Sequence, residues 1–276
     1  MEMTMDWKDG GSTGLRIEGR HLEAMTYGPP PSKATTIVLL HEGLGSIALW
    51  RDFPGKLAEA TGLSVFAYSR GGYGNSDPVE LPRPLDYMER HAREVLPHVL
   101  DAIAPSRAIL LGHSDGASIA ALYLGNFQDQ RVRGLILMAP HFFTEESGLQ
   151  AIAEAKIAYE QGDLRARLAK YHADVDNAFR GWNDAWLHPG FKAWNIEDAI
   201  DYIRVPVLAI QGEDDQYGTL RQIKALEERL YSPLDVSILQ GCRHSPFIDK
   251  PAETLRAIAD YTARLERIEK QTVHLA

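Results

Sequence analysis

The sequence predicts an α/β protein built on a mostly parallel, doubly wound sheet, with a block of helices inserted between two strands. Three observations carry this. Short β-branched apolar runs alternate with segments of helical period along most of the chain. The runs are apolar at nearly every position, so both of their faces are buried, as in a parallel sheet covered by helices. Between residues 141 and 196 the alternation stops, and helical patterns gather three of the five tryptophans, Trp182, Trp186 and Trp194.

The first elements, at 15–17 and 21–27, flank a glycine-containing turn and read as an antiparallel hairpin at the sheet edge. Runs at 33–41 (KATTIVLLH), 63–68 (LSVFAY), 107–111 (RAILL), 133–138 (RGLILM), 205–211 (VPVLAIQ) and 234–239 (LDVSIL) read as strands. The segments at 49–61, 85–103, 114–126, 219–231 and 252–270 supply the helices. In the last, Leu255, Ile258, Ala259, Thr262, Leu265 and Ile268 recur at helical spacing and form one docking face. Residues 1–140 and 197–276 therefore form the core, and 141–196 reads as a helical lid. Its position over the carboxyl ends of the strands is where open α/β sheets bind ligands.

Composition narrows the function. Of the 276 residues 45% are hydrophobic and 24% charged, which suits a globular chain. The formal charge of −9 presents the wrong sign to phosphates and argues against a nucleic-acid partner. The apolar runs are strand-length, too short to span a bilayer, which argues against a membrane partner. The N-terminal MEMTMDWKDGG has no apolar stretch behind a basic start, so no secretory leader is expected and the cytoplasm is the expected address. The lone Cys242 cannot form an internal disulfide and reads as a buried bystander. No H-E-x-x-H and no clustered metal-ligand spacing is present, so neither metal nor cofactor is expected.

The chemistry-bearing signal is Gly112-His113-Ser114-Asp115-Gly116, between a strand and a helical pattern. A G-x-S-x-G in that context is a nucleophile elbow: the serine sits in a sharp strand-to-helix turn that admits only small flanking residues. The helix N-terminus that follows offers free N–H groups to a developing oxyanion, so the Asp115 N–H is one candidate donor. At the end of the first long strand, His41-Glu42-Gly43-Leu44-Gly45-Ser46 forms a glycine-rich turn that can supply a second. Gly43 is the expected donor, with Leu44 next and on the pocket wall. The stretch Arg70-Gly71-Gly72-Tyr73-Gly74 lacks the residues of a phosphate loop and reads as a structural turn.

HEGLGS followed by Trp50, YSRGGYGNSDP (68–78), GHSDG (112–116), IQGEDD (210–215) and CRHSPF (242–247), in that order, resemble the α/β-hydrolase superfamily of lid-bearing serine esterases and related hydrolases. The resemblance runs from about Thr36 to the C-terminal helix and is weakest in the lid. It implies the α/β-hydrolase fold and a Ser114–Asp215–His244 triad, in the chain order of that fold. The family spacing Gly-x-x-Asp, counted from Gly212, selects Asp215 over its neighbour Asp214. Glu42 stands where the family often has glycine, and its side chain is expected to face away from the oxyanion site. His41 and His113 are expected to brace the turns beside the nucleophile. His113, Phe142, Trp182 and Trp186 are expected around the substrate pocket. Asp115 either pairs with a cationic group of the substrate or is a solvated or arginine-paired carboxylate. The lid tryptophans either stack on the substrate or pin the lid to the core.

The expected activity is hydrolysis of a small carboxylic ester, thioester or lactone through an acyl-enzyme. A carbon–carbon bond hydrolase or a cofactor-free haloperoxidase would keep the same triad. A small-molecule receptor on this fold is the alternative of a different class. The partner in every case is a small molecule.

Overall fold

A computed structural model describes residues 5–273 of the chain. The reading of the N-terminus as leaderless rests in part on residues 1–4, which lie outside the described residues. Eight strands form one sheet in the order β1-β2-β4-β3-β5-β6-β7-β8. These are β1 (Gly11–Ile17), β2 (Arg20–Tyr27), β3 (Thr36–Leu40), β4 (Ser64–Tyr68), β5 (Ala108–His113), β6 (Val132–Met138), β7 (Val207–Gly212) and β8 (Leu234–Leu239). The hairpin β1–β2 is antiparallel and joins β4 antiparallel, while β4, β3, β5, β6, β7 and β8 pair in parallel.

Period-two geometry splits the apolar runs between two buried faces. Val38, Leu40 and Leu110 enter one core, and Ile37, Leu39, Ile109 and Leu111 the other. Helix α1 (Phe53–Thr61) covers the second face. The predicted helix at 49–61 is two pieces, a 3-10 turn at Ile47–Trp50 and then α1, because Arg51 turns to φ 55°. The predicted helix at 85–103 is α2 (Tyr87–Arg90) and α3 (Leu96–Ile103), joined by one π-helical turn at His91–Val95. That wider turn places His91 on the Tyr68 ring, with the Tyr68 hydroxyl 2.8 Å from Nε2. Helix α4 (Asp115–Asn126) lies under the first face.

Between β6 and β7 the chain forms α5 (Glu146–Gln161), α6 (Leu164–Leu168) and α7 (Val175–Trp186). An isolated antiparallel bridge, Phe143 to Asn195, closes the base of the segment. In α7 the Asp174 carboxylate accepts from the Asn177 N–H and caps the first turn. Val175, Phe179, Trp182 and Trp186 then recur at helical spacing and are buried. After β7 come α8 (Arg221–Arg229), α9 (Pro246–Asp249) and α10 (Pro251–Val273), whose Ile258, Tyr261 and Leu265 pack with α1 on the second face.

Candidate active site

Strand β5 ends at His113 and α4 begins at Asp115, so Ser114 alone makes the turn, at φ 54° and ψ −119°. A non-glycine residue there is strained, and the strain persists because the flanks fix it. The Ser114 N–H donates to the Met138 carbonyl at 2.9 Å, and its own carbonyl accepts from Ala117 and Ser118. A Cβ at Gly112 would overlap the Gly116 carbonyl, and one at Gly116 the Leu40 carbonyl. Both glycines of the motif are therefore steric requirements of the turn.

His244 and Asp215 approach from the ends of β8 and β7. His244 Nδ1 lies 2.9 Å from each Asp215 carboxylate oxygen. Asp215 also accepts from the Tyr217 N–H at 2.8 Å and from Gln211 Nε2 at 2.8 Å, so its orientation is fixed. Burial works against its charge, but the charge and hydrogen bond of His244 outweigh burial and hold the carboxyl below its ordinary range. Asp214, the rival acid, is exposed, and its N–H donates to the Cys242 carbonyl. Ser114 and His244 line one cavity, and among the described residues no hydrogen bond joins Ser114 Oγ to the His244 ring.

The glycine-rich turn after β3 is held from behind. The Arg70 N–H donates to His41 Nε2 at 2.9 Å, which leaves the proton of this neutral imidazole on Nδ1, donated to the Glu42 carbonyl at 2.7 Å. Burial, then the Arg70 charge, hold His41 well below the usual histidine value, which keeps it neutral. Arg70 Nη2 and the Gly45 N–H donate to the same carbonyl at 2.8 and 3.0 Å. Because a trans peptide sets C=O and N–H on opposite sides, anchoring the Glu42 carbonyl turns the Gly43 N–H the other way. Gly43 lines the cavity.

Glu42 lies on the cavity wall, and its side chain turns to His113, with Oε2 3.3 Å from His113 Nδ1. His113 explains why. Its Nε2 is 2.7 Å from the His244 carbonyl, so both ring nitrogens face acceptors and only the doubly protonated ring satisfies both. Burial opposes that charge, but the Glu42 hydrogen bond and charge outweigh it and raise the His113 pKa. For Glu42, burial is likewise outweighed by His113, and its carboxyl falls below its usual value. The carboxylate is therefore paired rather than aimed at the reacting atoms.

The cavity holds about 80 Å³. Leu44, Trp182 and Trp186 are on its wall, together with Ile152, His141 and Tyr217, which the sequence reading missed. His113 and Phe142, expected on the wall, are wholly buried behind it. His113 is drawn inward by its two acceptors. Phe142 enters the core, where its N–H donates to Gln222 Oε1 at 2.7 Å, and its neighbour His141 takes the wall. Burial, then the charge of His244, lower the His141 pKa to about 3. Trp194 stands away from the cavity, stacked on Phe191 and donating to Glu89 Oε1 at 3.2 Å. Trp182 lies directly on Gly43, where any Cβ would strike its ring. Asp115 is fully buried: Tyr87 donates to Oδ2 at 2.5 Å, and Arg70 Nη2 is 3.8 Å from the same oxygen, so it is an arginine-paired carboxylate. Cys242 is buried and free. Among the described residues no group of three or more His, Cys, Asp or Glu side chains is placed to hold a metal ion, and no helix is long and apolar enough to cross a membrane.

This arrangement has relatives. The profile of the alpha/beta hydrolase family matches residues 37–257, and the chain belongs to that family. A proline iminopeptidase of Lactobacillus delbrueckii subsp. lactis is 31% identical over 266 residues, covering 82% of this chain and 89% of its own. Among solved structures, an esterase from Exiguobacterium antarcticum superposes with a TM-score of 0.74 at 19% identity, covering 92% of this chain and all of its own. A proline iminopeptidase from Mycobacterium smegmatis gives a TM-score of 0.74 at 16% identity, covering 94% of this chain and 100% of its own. Relatives of these kinds support hydrolase activity for this chain.

Proposed function

We propose that the protein is a serine hydrolase that cleaves a small carboxylic ester, thioester or lactone through an acyl-enzyme. The observation that carries this reading is the strained Ser114 turn opening on the same cavity as His244, whose Nδ1 is fixed by Asp215. Ser114 Oγ attacks the carbonyl carbon while His244 Nε2 takes the hydroxyl proton and passes it to the leaving group. Water then attacks the acyl-enzyme by the same route in reverse. Asp215 holds the ring orientation and stabilises the imidazolium. The Gly43 and Asp115 N–H groups receive the oxyanion. Asp115 is the first residue of α4, where a backbone N–H has no intrahelical acceptor.

Residues 141–196 act as the lid. A cavity of about 80 Å³ is well below the roughly 300–1,000 Å³ of pockets for drug-sized ligands, so the acyl group it accepts is short. An ester is favoured over a peptide with a free amino terminus for an electrostatic reason. The Asp115 carboxylate is buried against Arg70 and Glu42 Oε2 faces His113, which weakens both as partners for a substrate ammonium.

The test is a series of p-nitrophenyl esters from acetate to octanoate, with proline p-nitroanilide alongside, on the wild type and Ser114→Ala. Turnover of the short esters that disappears in Ser114→Ala supports the reading. Binding without turnover would make the chain a receptor, and preference for the anilide would make it a peptidase.

A further inference from the structure

We propose that Arg70 is a positioning residue for both oxyanion donors: it anchors the peptide that presents the Gly43 N–H and compensates the carboxylate of Asp115, the residue that presents the other. The inference rests on the serine-hydrolase reading of the site and concerns a residue that the sequence presents only as part of a turn.

The difficulty it addresses is Asp115. Its N–H sits where an oxyanion donor belongs, yet its side chain is a fully buried carboxylate on the residue next to Ser114. An uncompensated negative charge there would oppose the negative charge that develops on the substrate oxygen, most strongly in a site that excludes water. Arg70, equally buried, supplies the compensation: its Nη2 lies 3.8 Å from Asp115 Oδ2. Tyr87 adds a hydroxyl donor to the same oxygen at 2.5 Å.

The same Nη2 donates to the Glu42 carbonyl at 2.8 Å, the other face of the peptide that presents the Gly43 N–H. A cationic donor on a carbonyl polarises the peptide and strengthens its N–H as a donor, beyond fixing its direction. One nitrogen therefore acts on both halves of the oxyanion site. The guanidinium is itself held over the Tyr73 ring, 4.9 Å from the centroid. A lysine ammonium lacks the fixed planar fork that such a placement uses. The unit also reaches the lid, because Trp186 Nε1 donates to the Tyr87 hydroxyl at 3.0 Å. The wall tryptophan is thereby tied to the residue after the nucleophile.

The experiment compares Arg70→Met, Asp115→Asn and the double variant on a short p-nitrophenyl ester. Each is also titrated with a trifluoromethyl ketone, which forms a tetrahedral oxyanion on the serine, and each is melted to establish that it folds. Arg70→Met should lower kcat about 100-fold with little change in KM, the size of losing an oxyanion donor, and weaken the ketone in parallel. Adding Asp115→Asn to Arg70→Met should restore at least about tenfold, because the uncompensated buried charge is then gone. A purely structural role would lower the melting temperature of Arg70→Met, leave kcat near wild type and let the two substitutions multiply; that result overturns the proposal. If Arg70→Met does not fold, Tyr87→Phe replaces it, with a kcat loss of about tenfold expected for removing one neutral donor. Wild-type kcat in Tyr87→Phe then overturns it. Wild-type protein without Ser114-dependent ester turnover ends both readings, whereas Ser114-dependent turnover indifferent to Arg70 ends this one alone.

Discussion

His244 points Nδ1 at both carboxylate oxygens of Asp215, 2.9 Å from each, and presents the rest of its ring to the cavity that Ser114 opens on. Under the proposed mechanism, a base held this way has one orientation and one tautomer, with Nδ1 committed to Asp215. Ser114→Ala should then lower kcat by on the order of 10⁶ and Asp215→Asn by roughly 10⁴, since each removes a member of one cooperating unit. Asp214→Asn should leave the rate near wild type. Steady-state kinetics of the three variants decide this, and a larger loss in Asp214→Asn than in Asp215→Asn would reassign the acid.

Under the proposed ester hydrolysis, Trp182 and Trp186, which line the cavity, should set the acyl length. Removing either ring enlarges a small cavity beside Ser114, so Trp182→Ala and Trp186→Ala should shift kcat/KM toward longer acyl chains. The expected change in the octanoate-to-acetate ratio is about tenfold or more, the scale of a methylene or two in an apolar pocket. Both side chains are also packed into the core, so the melting temperature falls in either case. An unchanged ratio would mean that the rings only pin the lid.

The Glu42–His113 pair should leave a signature in stability against pH. Glu42 has a depressed pKa, so its contribution is present above the unfolded value of about 4.3 and lost as pH falls through the folded value. His113 has a raised pKa, so its contribution is full below about 6.5 and lost as pH rises through its folded value. The stability gap between wild type and Glu42→Gln should therefore be widest between about pH 4.5 and 6.5 and narrow on both sides. Urea unfolding at a series of pH values measures it. A gap that stays flat from about pH 6.5 to 9 would mean that His113 is neutral.

Gly116→Ala should cost about 3 kcal/mol or more, because the new Cβ would press on the Leu40 carbonyl and neither backbone can retreat without moving β3 from α4. Equilibrium unfolding gives the number, and near-wild-type stability would show that the elbow is looser than its geometry indicates.

What could be read from the chain was local. The Ser114 turn is written in five consecutive residues, and the strands in short apolar runs, because turn sterics and period-two burial act over that range. Asp215 and His244 were singled out by the resemblance, in the chain order that it implies. The fate of Asp214 depended on which side of a turn faces β8, and the sequence spacing reaches only as far as the resemblance carries it. His141 and Phe142 show the limit at its smallest: the sequence reading singles out Phe142 and passes over His141, and only packing decides which of the two neighbours meets the cavity. Glu42 and Arg70 were out of reach for a different reason. Their partners, His113 and Asp115, lie far along the chain, and the charge of each is intelligible only once the strands are side by side. The break at Arg51 is likewise a tertiary choice, made where a helical pattern meets Trp50 packing on Phe53 and Phe247.

The central claim, that Ser114 is the nucleophile activated by His244, is tested most directly by covalent labelling. Incubation with a fluorophosphonate, followed by intact-mass and peptide mass spectrometry, should show one adduct per chain on Ser114. The adduct should be absent from Ser114→Ala and form at a greatly reduced rate in His244→Asn. An adduct on another residue, or ester turnover that survives in Ser114→Ala, would contradict the account.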